Sequence, residues 1–271
     1  MEPGRAPALR YNTCMRSTRL AVLILVALLW TGHAFGWSFA VAGDSRDDRE
    51  GILPRILSAV DRSDMEFLLH TGDLENTGGD AAWQAFRKRT RKFRKTLYVV
   101  LGNHELRKPG TREGFVKFFG LPGTNYSFTH KDAHFAIVDN AGGSLSAETL
   151  SWLDRDLAEH PKGKKGISVL IVAMHAPPRT DGIFPHGTVS EYGEQSTRLL
   201  EILKRHEADA VLCSHEHLHY VEEWGGVRVV VSGGAGAPLV PFQRYGYYRI
   251  DVENGKVRET FRRVRPAGKP R

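Results

Sequence analysis

The sequence predicts a layered α/β fold, and three observations carry that prediction. Short apolar runs of about four to seven residues recur along the chain, with helically spaced stretches between most of them. At 271 residues, with 41% apolar and 10% aromatic content, the chain is long and apolar enough to build a real core. Several of the runs also end, on the carboxyl side, in Asp, Asn or His. The candidate strands are 38–42, 66–70, 97–101, 134–138, 167–174, 209–213, 219–224, 227–232, 246–252 and 257–264. Helical stripes lie between them at Ile52, Leu53, Ile56, Leu57 and Val60, at Leu150, Leu153 and Leu157, and at Leu199, Ile202 and Leu203. Ser146 is placed as an N-cap, with Glu148 in the first turn. There is no internal repeat, low-complexity tract or long linker, so a single domain is expected over 37–264, followed by a frayed tail at 265–271.

The first 36 residues differ in kind from the rest. Arg10, Arg16 and Arg19 precede an unbroken apolar run from Leu20 to Trp30, and small residues follow at Gly32, Ala34 and Gly36. This is the layout of a secretory signal peptide, with processing expected after Ala34 or Gly36 and a secreted or periplasmic mature protein. The run falls short of the roughly 20 residues that span a bilayer, so an uncleaved N-terminal anchor is the alternative. Met15 is a second candidate start, since Met15 to Arg19 makes a basic n-region by itself. Cys14 precedes the apolar run and so is no lipid-modified cleavage-site cysteine. Without the leader only Cys213 remains, which excludes an internal disulfide. The leader also holds four Arg and one Glu, so the net charge of +7 falls to about +4, a mild bias toward anionic ligands.

The basic run at 87–95 resembles a nucleic-acid patch. Yet Trp83, Phe86, Thr90, Phe93 and Leu97 recur at spacings of three and four, which predicts an amphipathic helix whose charges face water. No obligate nucleic-acid or protein partner is therefore expected, and a membrane partner only if the leader stays attached.

Position is the most informative feature of the polar residues. Five apolar runs end in metal-capable groups: SFAVAGD in Asp44, FLLHTGD in Asp73, YVVLGNH in Asn103 and His104, VLIVAMH in His175, and AVLCSHEH in His215 and His217. Open α/β sheets bind ligands outside the carboxyl ends of their strands, so adjacent strands would gather these groups at one edge. Taken singly, each group has a bland reading as a turn or a satisfied loop histidine. Carboxylate, amide and imidazole without thiolate suit Zn, Mn, Fe, Co or Ni. Six candidate ligands exceed what one tetrahedral ion needs, whereas two ions sharing a carboxylate would use them.

In this order the residues resemble the calcineurin-like metallophosphoesterase superfamily, which includes purple acid phosphatases and nucleotide phosphodiesterases. The pattern appears as Gly43-Asp44-Ser45-Arg46, Gly72-Asp73, Gly102-Asn103-His104-Glu105, His175 and Ser214-His215-Glu216-His217, with Val231-Ser232-Gly233-Gly234-Ala235-Gly236 as a late glycine turn. The resemblance implies a four-layer α-β-β-α sandwich of two mixed sheets, with the active site at the carboxyl ends of the strands. It implies two divalent transition-metal ions, one of them more weakly bound. Asp73 would bridge them, Asn103, His175 and His215 would complete one site, and Asp44 and His217 would hold the other. His104 would contact the phosphate and help protonate the leaving oxygen. The implied activity is hydrolysis of a small phosphomonoester or phosphodiester by metal-activated hydroxide.

Arg46 departs from the pattern, because it stands where the superfamily has a ligand histidine and a guanidinium cannot donate to a metal. Purple acid phosphatases also lack that histidine but place a tyrosine three residues after the bridging Asp, where this chain has Asn76. Arg46 then reads in three ways: a catalytic clamp on phosphate, an electrostatic replacement for the first ion, or a surface residue pointing away. A second departure is Ser214 in place of Gly, tolerable if the backbone there needs no positive φ. The change at Arg46 motivates an alternative function, a non-catalytic phosphate- or metal-binding descendant of the same fold. The region 106–132 and the loop 176–192, with His186 and Tyr192, are expected to wall the pocket.

Overall fold

The computed structural model describes residues 36–178 and 193–266, whose strands form two sheets. In the first sheet β1 (Trp37–Ala42), β2 (Phe67–His70) and β3 (Thr96–Val99) run parallel, while β10 (Gly246–Glu253) lies antiparallel to β1 and β11 (Lys256–Arg263) antiparallel to β10. In the second, β5 (Ala133–Ile137), β6 (Val169–Ala173), β7 (Ala210–Cys213) and β9 (Val227–Ser232) are parallel neighbours. The edge strands β4 (Tyr126–His130) and β8 (His219–Trp224) close that sheet antiparallel. Both sheets are mixed.

Three apolar clusters join four layers. Between the sheets, Phe39, Val41, Phe67 and Leu69 of the first meet Phe135, Ile171, Ala173 and Leu212 of the second. On the outer face of the first sheet, Ala40, Ala42 and Leu68 pack under α1 (Ile52–Asp61), α2 (Asp80–Thr90) and Phe115 of α3 (Arg112–Phe119). On the outer face of the second, Ala136, Val172 and Val211 pack under α4 (Ala147–Glu159) and α5 (Gly193–Arg205). Central strands are thus covered on both faces, which is why they read as unbroken apolar runs rather than alternating ones. The α-β-β-α sandwich has the form that the sequence implies. Ser146 caps α4 as expected, its hydroxyl accepting the Thr149 N–H at 3.1 Å.

Three elements differ from the sequence expectation. Strand β4 falls in the region taken for a pocket wall; of its residues only Tyr126 is buried, so this edge strand carries no apolar run to reveal it. The short helix α3 lies in the same region. The helix expected through Leu97 stops at Thr90: Leu97 pairs with Leu68 in β3, and Phe93 stays in the connection, packed on the outer cluster. The charges of the basic run are mostly exposed, as expected of a wet face, but two turn inward. Arg89 donates to the carbonyls of Ser45 and Leu74 at 3.1 and 2.7 Å and to Glu75 Oε1 at 2.7 Å, and so ties the β1 loop to the β2 loop. Lys95 Nζ donates to the carbonyls of Val60, Ser63 and Met65.

Among the described residues no helix is long and apolar enough to cross a membrane. The leader through Phe35, the pocket residues His186 and Tyr192, and the tail beyond 266 lie outside the described residues.

Candidate metal centre

Each candidate ligand follows a strand within a few residues, and the loops that carry them are held in unusual backbone conformations. Asp44, Asp73, His215 and His217 have φ of 59°, 56°, 71° and 45°. Left-handed backbone is uncommon outside glycine and concentrates where structure is held for function. Gly102 is required by proximity: a Cβ there would fall 2.3 Å from Asp73 N and 2.5 Å from Asp73 Oδ1, so only glycine lets the β3 loop lie against the β2 loop. Ser214 is absent from the positive-φ residues, and its hydroxyl donates to the Thr71 carbonyl at 2.8 Å, so the departure from Gly is accommodated.

The structure brings all six candidate ligands together. His175 Nδ1 lies 2.9 Å from the Thr71 carbonyl, which can only accept, so the ring carries its proton there and turns the lone pair of Nε2 the other way. Burial lowers the His175 pKa to about 4, which keeps the ring neutral near pH 7. Around that lone pair stand Asn103 Oδ1 at 2.9 Å, His215 Nδ1 at 3.1 Å and Asp73 Oδ1 at 3.3 Å. Asp44 is fully buried nearby: its Oδ2 accepts the His215 N–H at 2.7 Å, and its Oδ1 has no hydrogen-bond partner. Burial, and next the charge of Asp73, raise the Asp44 pKa well above the ordinary carboxylate value. One donor atom each from Asp44, Asp73 and His175 lies within 4.8 Å of the others. A lone pair, carboxylate oxygens and an amide oxygen converging in this way suit a cation, and the donor set is that of a divalent transition metal.

Arg46 points into this cluster, which removes the reading of a surface residue. Its Nε lies 3.4 Å from Asp73 Oδ2, Nη2 3.1 Å from His217 Nε2, and Nη1 donates to Asn76 Oδ1 at 3.3 Å. His217 Nε2 is 3.7 Å from Asp44 Oδ1. His104 is buried, with Nδ1–H donating to the Asn76 carbonyl at 2.9 Å and Nε2 3.7 Å from Asp73 Oδ2. Burial lowers its pKa to about 4 against the opposing charge of Asp73, so near neutral pH its Nε2 bears no proton. These groups open on a cleft of about 440 Å³, completed by Arg107, Glu216 and Val240.

Sequence reasoning missed two supporting residues. Glu105 is fully buried, and its carboxyl oxygens accept the N–H groups of Asp73, Leu74 and Gly102, each at 2.9 Å. Asn140 Oδ1 accepts the His175 N–H at 3.0 Å, while its Nδ2 donates to the Ala176 carbonyl at 2.8 Å. Asn140 lies just past β5, so the strand-end rule that singled out the other loops also applied to it.

Beneath the site, His70 is fully buried, with Nε2 3.0 Å from Ser45 Oγ. Burial lowers its pKa to about 3, whereas the unfolded ring titrates near 6.5. Below pH 6.5 the unfolded chain therefore binds a proton that the folded chain refuses, and stability falls as pH falls. Metal-free His70→Gln is expected to lose less stability than the parent protein between pH 7 and pH 5, by roughly 1 kcal/mol per pH unit below 6.5. Urea denaturation at both pH values measures this, and parallel losses would overturn it.

Two mixed sheets that deliver carboxylate, amide and imidazole donors to one edge define a metal-site α/β sandwich. The chain belongs to the calcineurin-like phosphoesterase family, whose model matches residues 38–219. It is 25% identical over 176 residues to the Probable glycerophosphodiester phosphodiesterase GpdQ of Arcobacter nitrofigilis, covering 62% of this chain and 62% of the relative. It is also 25% identical over 184 residues to the 3',5'-cyclic adenosine monophosphate phosphodiesterase CpdA of Escherichia coli K12, covering 65% of this chain and 64% of the relative. The matches thus span slightly under two thirds of these relatives' length. Among solved structures, the purple acid phosphatase PPD1 from yellow lupin seeds shares the fold, with a TM-score of 0.65 and 16% identity over 84% of this chain and 51% of that one.

Proposed function

We propose that the protein is a metal-dependent hydrolase of small organic phosphate esters, with phosphodiesters as the favoured class. The observation that carries this reading is the convergence of Asn103 Oδ1 and Asp73 Oδ1 on the lone-pair nitrogen of His175, at 2.9 and 3.3 Å. Asp44, Asp73, Asn103, His175 and His215 would hold a divalent transition metal there. Such an ion supplies a water of lowered pKa and a Lewis acid for a phosphoryl oxygen. Arg46 and Arg107 set positive charge on the same cleft, and His104 faces it from the side of Asp73. The relatives named for glycerophosphodiester and cyclic-nucleotide hydrolysis support diesters ahead of monoesters.

The test is hydrolysis of bis(4-nitrophenyl) phosphate and 4-nitrophenyl phosphate by protein stripped with chelator and then resupplied with Mn²⁺, Zn²⁺ or Co²⁺. Turnover is expected only with added metal and faster on the diester. Undiminished turnover after stripping would overturn the reading. Metal binding without turnover on any ester would favour the non-catalytic descendant, which the replacement of a ligand histidine by Arg46 keeps in view.

Export belongs to the same proposal. The exported protein is expected to begin after Ala34 or Gly36, as N-terminal sequencing would read; an intact leader on the exported protein would overturn cleavage.

A further inference from the structure

Arg46 is fixed in place by both its backbone and its side chain. Its own N–H donates to the Asp73 carbonyl at 3.1 Å, which ties residue 46 to the β2 loop. The side chain is only 20% exposed, and each guanidinium nitrogen has a neighbour: Asp73 Oδ2 for Nε, Asn76 Oδ1 for Nη1, His217 Nε2 for Nη2. The tautomer of His217 follows from its other nitrogen. Nδ1 lies 2.8 Å from the Pro238 carbonyl, an acceptor only, so the proton sits on Nδ1 and Nε2 offers a lone pair. That lone pair, Asp73 Oδ2 and Asp44 Oδ1, which lies 3.7 Å from His217 Nε2, are the donors that a cation on this side of the cluster would use. The first two are turned toward Arg46.

Charge reinforces the geometry. A guanidinium is always protonated, so a dication placed between Asp73 Oδ2 and His217 Nε2 would meet a fixed positive charge within a few ångströms. Among the described residues the other side of the cluster has no such occupant. There Asp73 Oδ1, Asn103 Oδ1, His175 Nε2 and His215 Nδ1 face one another.

We propose that this chain binds one divalent transition-metal ion rather than two, and that the guanidinium of Arg46 holds the position of the other, clasped between Asp73 and His217. The inference rests on the reading of the cluster as the metal centre of a phosphoester hydrolase and specifies how that centre is charged. It favours the second of the two remaining readings of Arg46, the electrostatic replacement for an ion. Nη1 and Nη2 each meet one protein group and Nε faces Asp73 Oδ2 at 3.4 Å, so Arg46 acts as a built-in cation at the rim of the substrate cleft, with one N–H of each Nη left over.

The experiment counts ions. Full-length protein is stripped with chelator, titrated with Mn²⁺ by calorimetry, and its metal content after dialysis is read by mass spectrometry. One equivalent is expected for the parent protein and two for Arg46→His, with the Mn²⁺ paramagnetic resonance spectrum changing from that of an isolated ion to that of an exchange-coupled pair. Two equivalents in the parent protein would overturn the inference and leave the hydrolase reading standing. No bound metal in the parent protein would overturn that reading, and this inference with it. His217→Ala gives a second arm independent of any change at Arg46: it should keep one equivalent, because the single ion does not use that ring, and loss of the ion would overturn the inference. An Arg46→His protein that stays at one equivalent would do the same.

Discussion

Asp73→Asn should cost about two to three and a half orders of magnitude in kcat/KM on a phosphodiester and strip the site of tightly bound metal. Asp73 is where every part of the cluster meets. Its Oδ1 accepts the His104 N–H at 3.0 Å and faces His175 Nε2, while Oδ2 faces Arg46. An amide keeps the size of the side chain and tolerates the left-handed backbone that Asp73 adopts at φ 56°, so the loop should survive the change. What changes is charge. The amide nitrogen must face either the guanidinium or the His104 N–H, a donor against a donor in both cases. Removing one partner of a buried charge cluster costs about 3–5 kcal/mol. At about 1.4 kcal/mol per tenfold change, that is a loss of about two to three and a half orders of magnitude. Steady-state kinetics together with metal content test it. Normal metal content with normal kcat/KM would show that Asp73 is not the centre of the site, whereas metal loss with an unchanged melting temperature would locate the damage in electrostatics rather than in folding.

The sequence disclosed the parts of the fold that lie between two covering layers. Strands such as Val169–Ala173 are buried on both faces, so they stand out as apolar runs, and the first polar residue beyond each marks a loop at the sheet edge. That logic gathers Asp44, Asp73, Asn103, His175, His215 and His217 without any coordinates. It fails for β4, because an edge strand with one buried residue has no run to see. It also overextended α2, since a spacing of three and four continues by chance through Phe93 and Leu97, where the chain has already turned into β3. Arg46 was legible as an anomaly but not as a contact. Its direction depends on the positive φ of Asp44 two residues earlier and on its N–H bond to the Asp73 carbonyl, neither of which a sequence pattern encodes. Glu105 stood in the quoted motif, yet its partners at Asp73 and Leu74 are about 30 residues away in sequence and are backbone groups, which have no signature of their own.

Glu105→Ala should destabilise the metal-free protein by about 3–5 kcal/mol, because it leaves buried donors without acceptors at about 1–3 kcal/mol each and opens a cavity. The N–H groups of Asp73, Leu74 and Gly102 all lose their partner, and these hold the β2 and β3 loops in register under the metal ligands. Against a typical total stability of 5–15 kcal/mol, such a loss would bring the protein close to unfolding at 37 °C. Glu105→Gln keeps one acceptor oxygen and should lose less. The pH dependence separates this carboxyl from a generic cavity. Burial, and next the charge of Asp73, push the Glu105 pKa up to about 8, against 4.5 for the unfolded chain. A carboxyl raised on folding contributes most below its unfolded value, and its contribution is lost as pH rises through the folded one. The deficit of Glu105→Ala relative to the parent protein should therefore be largest near pH 5 and shrink toward pH 9, as denaturant midpoints at the two pH values would read. A deficit that grows with pH would mean that Glu105 is held as a charged acceptor throughout, and that Asp73 exerts no net repulsion on it.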